Sequence, residues 1–413
     1  MEIDRARRAD AKETVISDPV ANEETRRREF PICARKIYCA HAADAPLPRR
    51  VAEAMRESIE RASTNERQFE IELGRIATTR AAVAQLLGAT PAEISFTGPT
   101  SSGLGVIANG LEWRPDDEVV CYLEEYPANV YPWLALERRG VKIVLLDPAR
   151  LGEITPELVG RALTNQTKLV ALATANFCSG YRIDVAAIGA LCAERGAFFC
   201  VDAIQTLGAF PVALDHVDFL AAGAQKWMLG PSGAGILFVR KSRRDLLNPA
   251  IIGGWNVQSP NFIAQREITY AVDGQKFEPG AYNHSAIAGL RAAVELLLET
   301  SLPQISTKIL SLTRALREQL GPMGFEFLSP TSEANRSGIL TFRHPKVATA
   351  KLLDLLSQND VVVSLRFSRA GSSWLRVSPH FYNTLAEVER VVELLNRAVS
   401  AQAISLAARN GCV

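Results

Sequence analysis

Asp202 and Lys226 are the two residues of this 413-residue chain whose type and setting most narrowly limit the chemistry. Asp202 ends the apolar run Ala197-Phe198-Phe199-Cys200-Val201. Lys226 follows 24 residues later between Gln225 and Trp227, behind Val217-Asp218-Phe219-Leu220-Ala221-Ala222, which reads as another buried strand. A lysine among apolar residues loses solvation, which lowers its pKa and frees the neutral amine that Schiff-base chemistry needs. A carboxylate buried at a strand end suits a pyridinium nitrogen, because it keeps the ring protonated as an electron sink. Each residue alone has a plainer role: Asp202 as a helix cap, Lys226 as a snorkelling surface charge. The pair in this context reads as a pyridoxal phosphate (PLP) site.

A phosphate needs hydroxyls and free backbone N–H groups, and Thr97-Gly98-Pro99-Thr100-Ser101-Ser102-Gly103 offers both between a strand and a helix. Taken alone, such clusters are more often simple helix caps. No Gly-Lys-Ser/Thr follows, and no GxGxxG opens a helix here, so neither a P-loop nor a dinucleotide fingerprint is present.

The elements that must position these residues alternate strand and helix. Residues 49–62 and 71–88 read as amphipathic helices, the second with Ile76, Val83, Leu86 and Leu87 on one face. Strand candidates follow at 93–97, 119–123, 141–146, 169–173 and 198–202. Thr155-Pro156-Glu157 and Asp184 carry the start signals of intervening helices. The near-continuous apolar run Leu169-Val170-Ala171-Leu172-Ala173 suits a parallel strand covered on both faces. This rhythm predicts an α/β fold with a mainly parallel sheet, helices on both faces, and ligands at the carboxyl ends of the strands. Gly235-Ile236-Leu237-Phe238-Val239-Arg240 comes soon enough after Lys226 to run antiparallel. From about residue 286 a long helix precedes sparser strands at 338–342, 361–365 and 374–377, with helices at 348–357 and 384–403. The expected division is an N-terminal arm (1–36), a large PLP-binding α/β domain (37–285) and a small C-terminal α+β domain (286–413). The arm, rich in mixed charge, is expected to be flexible or packed on a partner subunit.

Over residues 37–400 the chain resembles fold-type I PLP-dependent enzymes of the class V aminotransferase family, which includes cysteine desulfurases, isopenicillin N epimerase-like proteins and C–S lyases. The motifs carrying the resemblance are Asp202-Ala203-Ile204-Gln205, Gln225-Lys226-Trp227 with Gly230-Pro231-Ser232-Gly233, Phe277-Glu278-Pro279-Gly280, and Arg376-Val377-Ser378-Pro379-His380-Phe381-Tyr382-Asn383-Thr384. The resemblance implies that Lys226 forms the internal aldimine and shuttles the Cα proton, and that Asp202 holds the pyridine nitrogen. It implies that Gln205 lies near the ring's O3′ oxygen and that Thr100, Ser101 and Gln225 bind the phosphate. It also implies that Tyr126 stacks on the ring, that Asn176 lies near O3′ and the substrate carboxylate, and that Arg376 clamps that carboxylate. His41 is a further candidate for facing the substrate, and Arg366 and Arg369 for reading a second acidic group.

Three departures from the family pattern matter. No cysteine lies between Cys200 and Cys412, where desulfurases carry their nucleophile, so persulfide-forming desulfuration is not expected. Gln225 replaces a histidine found before the lysine in desulfurases, and Ala281 replaces a threonine common after Phe-Glu-Pro-Gly. The function expected is that of an enzyme acting on an L-amino acid through an external aldimine and quinonoid, by transamination or by β-elimination of the C–S lyase type. Amino-acid epimerisation is one alternative and a non-catalytic PLP-binding relative another. The family resemblance implies a homodimer.

Bulk composition sets the outer limits. The chain is 47% hydrophobic and 22% charged with a formal net charge of +1, which gives no electrostatic case for nucleic acid or an anionic membrane. No apolar run approaches the ~18 residues of a membrane span. Seven cysteines without CxxC or Cys/His clustering argue against zinc or any other metal, and for reduced core residues of a cytoplasmic protein.

Overall fold

Alternation of side chains along the strands builds the centre of the molecule. The computed structural model describes residues 20, 22–65, 69–369 and 371–410. Its seven-stranded sheet runs, in spatial order, Ile94–Thr97, Gly235–Val239, Phe219–Gly223, Phe198–Asp202, Thr167–Ala173, Glu118–Cys121 and Lys142–Leu145. Only Gly235–Val239 opposes the rest, antiparallel to both its neighbours. Val120, Val170, Val201 and Leu220 point into one buried cluster, whereas Val119, Leu169, Cys200 and Phe219 point into another on the opposite face. Both faces are therefore dry, which is why these strands read as continuous apolar runs.

A second, four-stranded antiparallel sheet follows the order Ser364–Phe367, Ser373–Val377, Leu340–Arg343 and Glu326–Phe327. The helices Leu302–Leu320, Thr349–Gln358 and Leu385–Asn410 contribute to its separate core, in which Leu312, Leu316, Phe342, Leu352, Leu375 and Leu395 are buried. The helix Leu302–Leu320 is absent from the sequence reading. It buries the stripe Ile305, Ile309, Leu312, Leu316 and Leu320.

The arm needs correction where it is described; residues 1–19 and 21 lie outside the described residues. Asn22 caps the helix Glu23–Glu29, whose Arg26 is buried and hydrogen-bonds the Tyr382 carbonyl and the Glu387 carboxylate. Phe30 stacks on Tyr382 with ring centroids 4.0 Å apart. This stretch packs on its own chain, because the mixed charge visible in sequence finds partners near the C-terminus. Ile37–Tyr38 then pairs in parallel with Val361–Val362.

The Phe277-Glu278-Pro279-Gly280 turn is fixed by Glu278, which is 2% exposed. Its carboxylate takes both terminal nitrogens of Arg80 at 2.8 Å each, the Phe96 N–H at 2.5 Å and the Tyr282 hydroxyl at 2.5 Å. Glu278→Ala strands a buried arginine, and should lower unfolding free energy by about 3–5 kcal/mol. Urea titration checks this; a loss under about 0.5 kcal/mol, as at an ordinary surface position, would show that the fork carries no weight.

Candidate active site

The carboxyl ends of the parallel strands converge on one cleft. Asp202 closes the strand Phe198–Asp202, and Lys226 stands three residues beyond Phe219–Gly223. Both are buried, at 2% and 7% exposure. Asp202 Oδ1 accepts the Ile204 N–H at 3.0 Å, whereas Oδ2 receives no hydrogen bond among the described residues. Burial raises the Asp202 pKa to about 6, with the Ile204 N–H and Lys226 pulling the other way. The carboxyl is thus still mainly ionised at neutral pH. Lys226 Nζ has no hydrogen bond or ion pair among the described residues, and lies 5.3 Å from the centroid of the half-exposed Tyr126 ring. Desolvation lowers its pKa to about 8.

Arg376 enters from the second sheet and is entirely buried. One Nη1–H donates to the Phe177 carbonyl; Nε and Nη2 have no partner among the described residues. Desolvation, with Arg366 beside it, lowers its pKa to about 9. Arg376 therefore has donors to spare in a fork that matches a carboxylate. Cys178 also reaches this place, but burial raises its pKa despite the two arginines, which leaves an inert thiol.

The phosphate candidates cluster at the start of the helix Thr100–Gly110. Thr100 Oγ1 accepts the Gly223 N–H at 2.9 Å. A Cβ built on Gly223 would lie 2.5 Å from Gln225 Oε1 and 3.2 Å from Thr100 Oγ1, so these two side chains close on one glycine. Ser101 is exposed at the same turn, and the neighbouring Thr97 Oγ1 is buried without a partner. Helix-start N–H groups lack intrahelical acceptors, so an anion is well received here.

Asn176 and Gln205 are largely committed. Asn176 Oδ1 accepts the N–H groups of Cys178 and Ser179, and its Nδ2 donates to the Glu124 carbonyl. Gln205 Oε1 accepts Trp227 Nε1–H at 3.0 Å, and its Nε2 donates to the Ala42 carbonyl at 3.1 Å. Each amide keeps one N–H for a further acceptor. His41 requires a correction. Its Nδ1 pairs with the Ser378 carbonyl at 2.9 Å and its Nε2 with the Tyr382 hydroxyl at 2.7 Å, at 0% exposure. Both ring nitrogens are used internally, so His41 has none left to face a substrate.

Glu125 is the residue that sequence reasoning passes over. Its carboxyl accepts the Ala173 N–H at 2.7 Å and the Asn129 amide, and Ala173 is the register partner of Asp202. Burial, assisted by Asp202, raises its pKa to about 8, so it is protonated at neutral pH. Its only signal in sequence is its place directly before Tyr126. Taken together, an unengaged amine, a buried carboxylate with a free oxygen, a helix-start cradle and an orphaned guanidinium fit pyridoxal phosphate and a carboxylate-bearing substrate. Among the described residues no His/Cys/Asp/Glu group is arranged to hold a metal, and no helix is long and apolar enough to cross a membrane.

Residues 37–391 match the family described as Aminotransferase class-V. A probable cysteine desulfurase of Pyrococcus abyssi is 26% identical over 396 residues, covering 90% of this chain and 96% of the relative. Another, from Methanothermobacter thermautotrophicus, is 28% identical, with 89% and 96% covered. Among solved structures, the apo cysteine desulfurase of Thermococcus onnurineus NA1 matches with a TM-score of 0.85 at 25% identity, covering 92% of this chain and 98% of that one. The cystine C–S lyase C-DES, in complex with cysteine persulfide, has a TM-score of 0.81 at 23% identity, with 89% and 99% covered, a likeness of fold.

Desolvation of Lys226 has a direct readout. In cofactor-free protein, acylation of Lys226 followed by mass spectrometry across pH should show a midpoint near 8, since only the neutral amine reacts. A midpoint near the ordinary lysine value of about 10.4 would mean the pocket does not desolvate the amine.

Proposed function

The chain belongs to the class-V aminotransferase family, and we propose that this PLP-dependent enzyme acts on an amino acid by β-elimination of the C–S lyase type, with transamination as the competing outcome. The observation that carries this reading is the set of unused groups in one cleft: Lys226 Nζ, Asp202 Oδ2, and Arg376 Nε and Nη2. The names of the relatives, cysteine desulfurases and a cystine C–S lyase, favour cleavage of a Cβ–S bond, and that of the lyase favours elimination.

Bound in the cleft, pyridoxal phosphate supplies an electron sink for charge developing at the substrate Cα. Thr100, Ser101, Gln225 and the helix start hold the phosphate. The Tyr126 ring would cover one face of the cofactor, and the spare N–H groups of Gln205 and Asn176 would serve its ring oxygen. The ionised Asp202 carboxylate is the counter-charge for the ring nitrogen, and the protonated Glu125 behind it adds no competing negative charge. Lys226 anchors the cofactor and then serves as the base that takes the Cα proton, a task for which a pKa of about 8 leaves a usable share of neutral amine. Arg376 orients the substrate through its carboxylate.

The hairpin formed by Ser364–Phe367 and Ser373–Val377 carries no cysteine, and the Cys178 thiol is held protonated. Both observations support elimination without a sulfur relay through the protein. We further infer a homodimer in the cytoplasm. Ile251, Phe262, Ile263, Ile268 and Val272 are each more than half exposed on one stretch, an apolar surface that a second copy would cover. The six described cysteines are all free thiols, as a reducing compartment allows.

Borohydride treatment of the holoenzyme should fix the cofactor on Lys226, and Lys226→Ala should lose both this mass tag and turnover while keeping its circular dichroism. Full activity of the variant would end the reading. Arg376→Lys should lower kcat/KM for amino acids about 30-fold or more, since an ammonium cannot reproduce the fork and the truncation of a buried charge pair costs about 2–5 kcal/mol. Amines lacking a carboxylate should lose far less; equal losses would make Arg376 structural.

A further inference from the structure

The face of the second sheet that carries Arg376 has more donors than one substrate carboxylate can use. In the register of the hairpin, Ser364 pairs with Arg376 and Arg366 with Trp374, which puts all four side chains on one face. Arg366 and Arg376 are diagonal neighbours there, with Cβ atoms about 7–8 Å apart at most. Arg366 is half-buried and donates one Nη1–H to the carbonyl of Leu365 beside it; its Nε is buried with no partner among the described residues. Across the strand pair, Trp374 Nε1–H is likewise buried without an acceptor among the described residues. No carboxylate of the described residues comes within ion-pair distance of Arg366 or Arg376, although Arg343, next on the same face, is paired with Glu326 at 2.8 Å.

Two guanidinium groups held this close repel each other, and their mutual charge and burial lower the Arg376 pKa while burial lowers that of Arg366. Lys226 feels both as well. A desolvated cation without a counter-ion is costly, and one α-carboxylate satisfies only one of the two. Other buried arginines of this chain engage their terminal nitrogens internally, Arg26 with Glu23 and Glu387, Arg80 with Glu278, and Arg244 with the Val272 and Ala92 carbonyls. The cleft pair does not, which marks it for an anion from outside. Beside the pair lies a cleft of about 390 Å³ lined by Phe177, Cys178, Phe367 and Arg369, and also by Glu124 and the protonated Glu125.

We propose that Arg366, with the Trp374 N–H, binds a second oxyanion on the substrate's own side chain, so that the enzyme's substrates are amino acids carrying a carboxylate or sulfinate beyond Cα. This rests on the amino-acid reading above and specifies its substrate class. Arg376 takes the α-carboxylate and Arg366, its diagonal neighbour on the same face, the distal group.

The test is an absorbance titration of the PLP-loaded enzyme with four probes: L-aspartate, L-cysteine sulfinate, L-alanine and L-2-aminobutyrate. The wild type should bind at least one of the two anionic probes about tenfold or more tighter than its neutral counterpart, about 1.4 kcal/mol. Arg366→Gln should collapse that preference to about twofold or less, and Arg366→Lys should restore part of it. Preference for aspartate alone assigns the site to carboxylates, and for the sulfinate alone to sulfinates. No preference in the wild type, or an unchanged preference in Arg366→Gln, overturns the proposal while leaving the amino-acid reading intact. Failure of all four probes to change the spectrum overturns the amino-acid reading itself, and this proposal with it.

Discussion

The buried Trp227 holds the cleft together. Its indole N–H donates to Gln205, which in turn donates to the Ala42 carbonyl, and its own carbonyl pairs with His380 Nε2 at 3.0 Å. Its ring lies so close to Gly338 that a Cβ there would come within 2.2 Å. A strand end, the N-terminal segment and two stretches of the C-terminal region therefore meet at the residue after Lys226. Buried polar groups are tolerable only when paired, so each bond in this knot depends on the others being made. The amine of Lys226 is aimed by this framework, since its own head group is tied to nothing. His380 fits the same logic: burial lowers its pKa to about 4, and the neutral ring serves as one donor and one acceptor.

Around this knot the cleft inverts the rule obeyed elsewhere in the molecule. Outside it, buried charge finds an internal partner, an opposite charge for Glu278 and Arg26 and backbone carbonyls for Arg244 and Lys276. Inside it, Lys226, Arg366 and Arg376 form no ion pair among the described residues, and the unpartnered N–H groups of Arg366, Trp374 and Arg376 share one sheet face. Local conflict of this kind is what functional sites impose on an otherwise consistent fold. The stability lost there is tolerable because two large, dry cores lie on either side of the main sheet.

Much of this was legible in the residues. Strands buried on both faces read as apolar runs, so 169–173 and 198–202 stand out, as do the caps at Thr155 and Asp184, whose side chains accept helix-start N–H groups. The helix Leu302–Leu320 was missed although its buried positions recur at helical spacing, because serine, threonine and charged residues fill the turns between them. Side-chain roles were harder where the partner is distant in sequence. His41 is tied to Ser378 and Tyr382, more than 300 residues away, and no local pattern announces such a bond. Arg366 and Trp374 gain their meaning only from strand register, which sets who stands opposite whom. Glu125 carries no signal beyond its type, since its effect comes from lying behind Asp202.

The pairing of Ile37–Tyr38 with Val361–Val362 has a consequence for how the protein is made. An N-terminal segment is thereby stitched to the C-terminal region, and His41 and Phe30 add further stitches to Ser378 and Tyr382. On a ribosome, the main sheet can assemble as its strands emerge, since its parallel strands from Glu118 to Gly223 are close in sequence. The N-terminal segment must wait, its apolar face uncovered, until nearly the whole polypeptide has been released. Long-range closure of this kind is slow to form, and Arg376 belongs to the same late-emerging stretch, so the cleft is completed only once that stretch has left the ribosome.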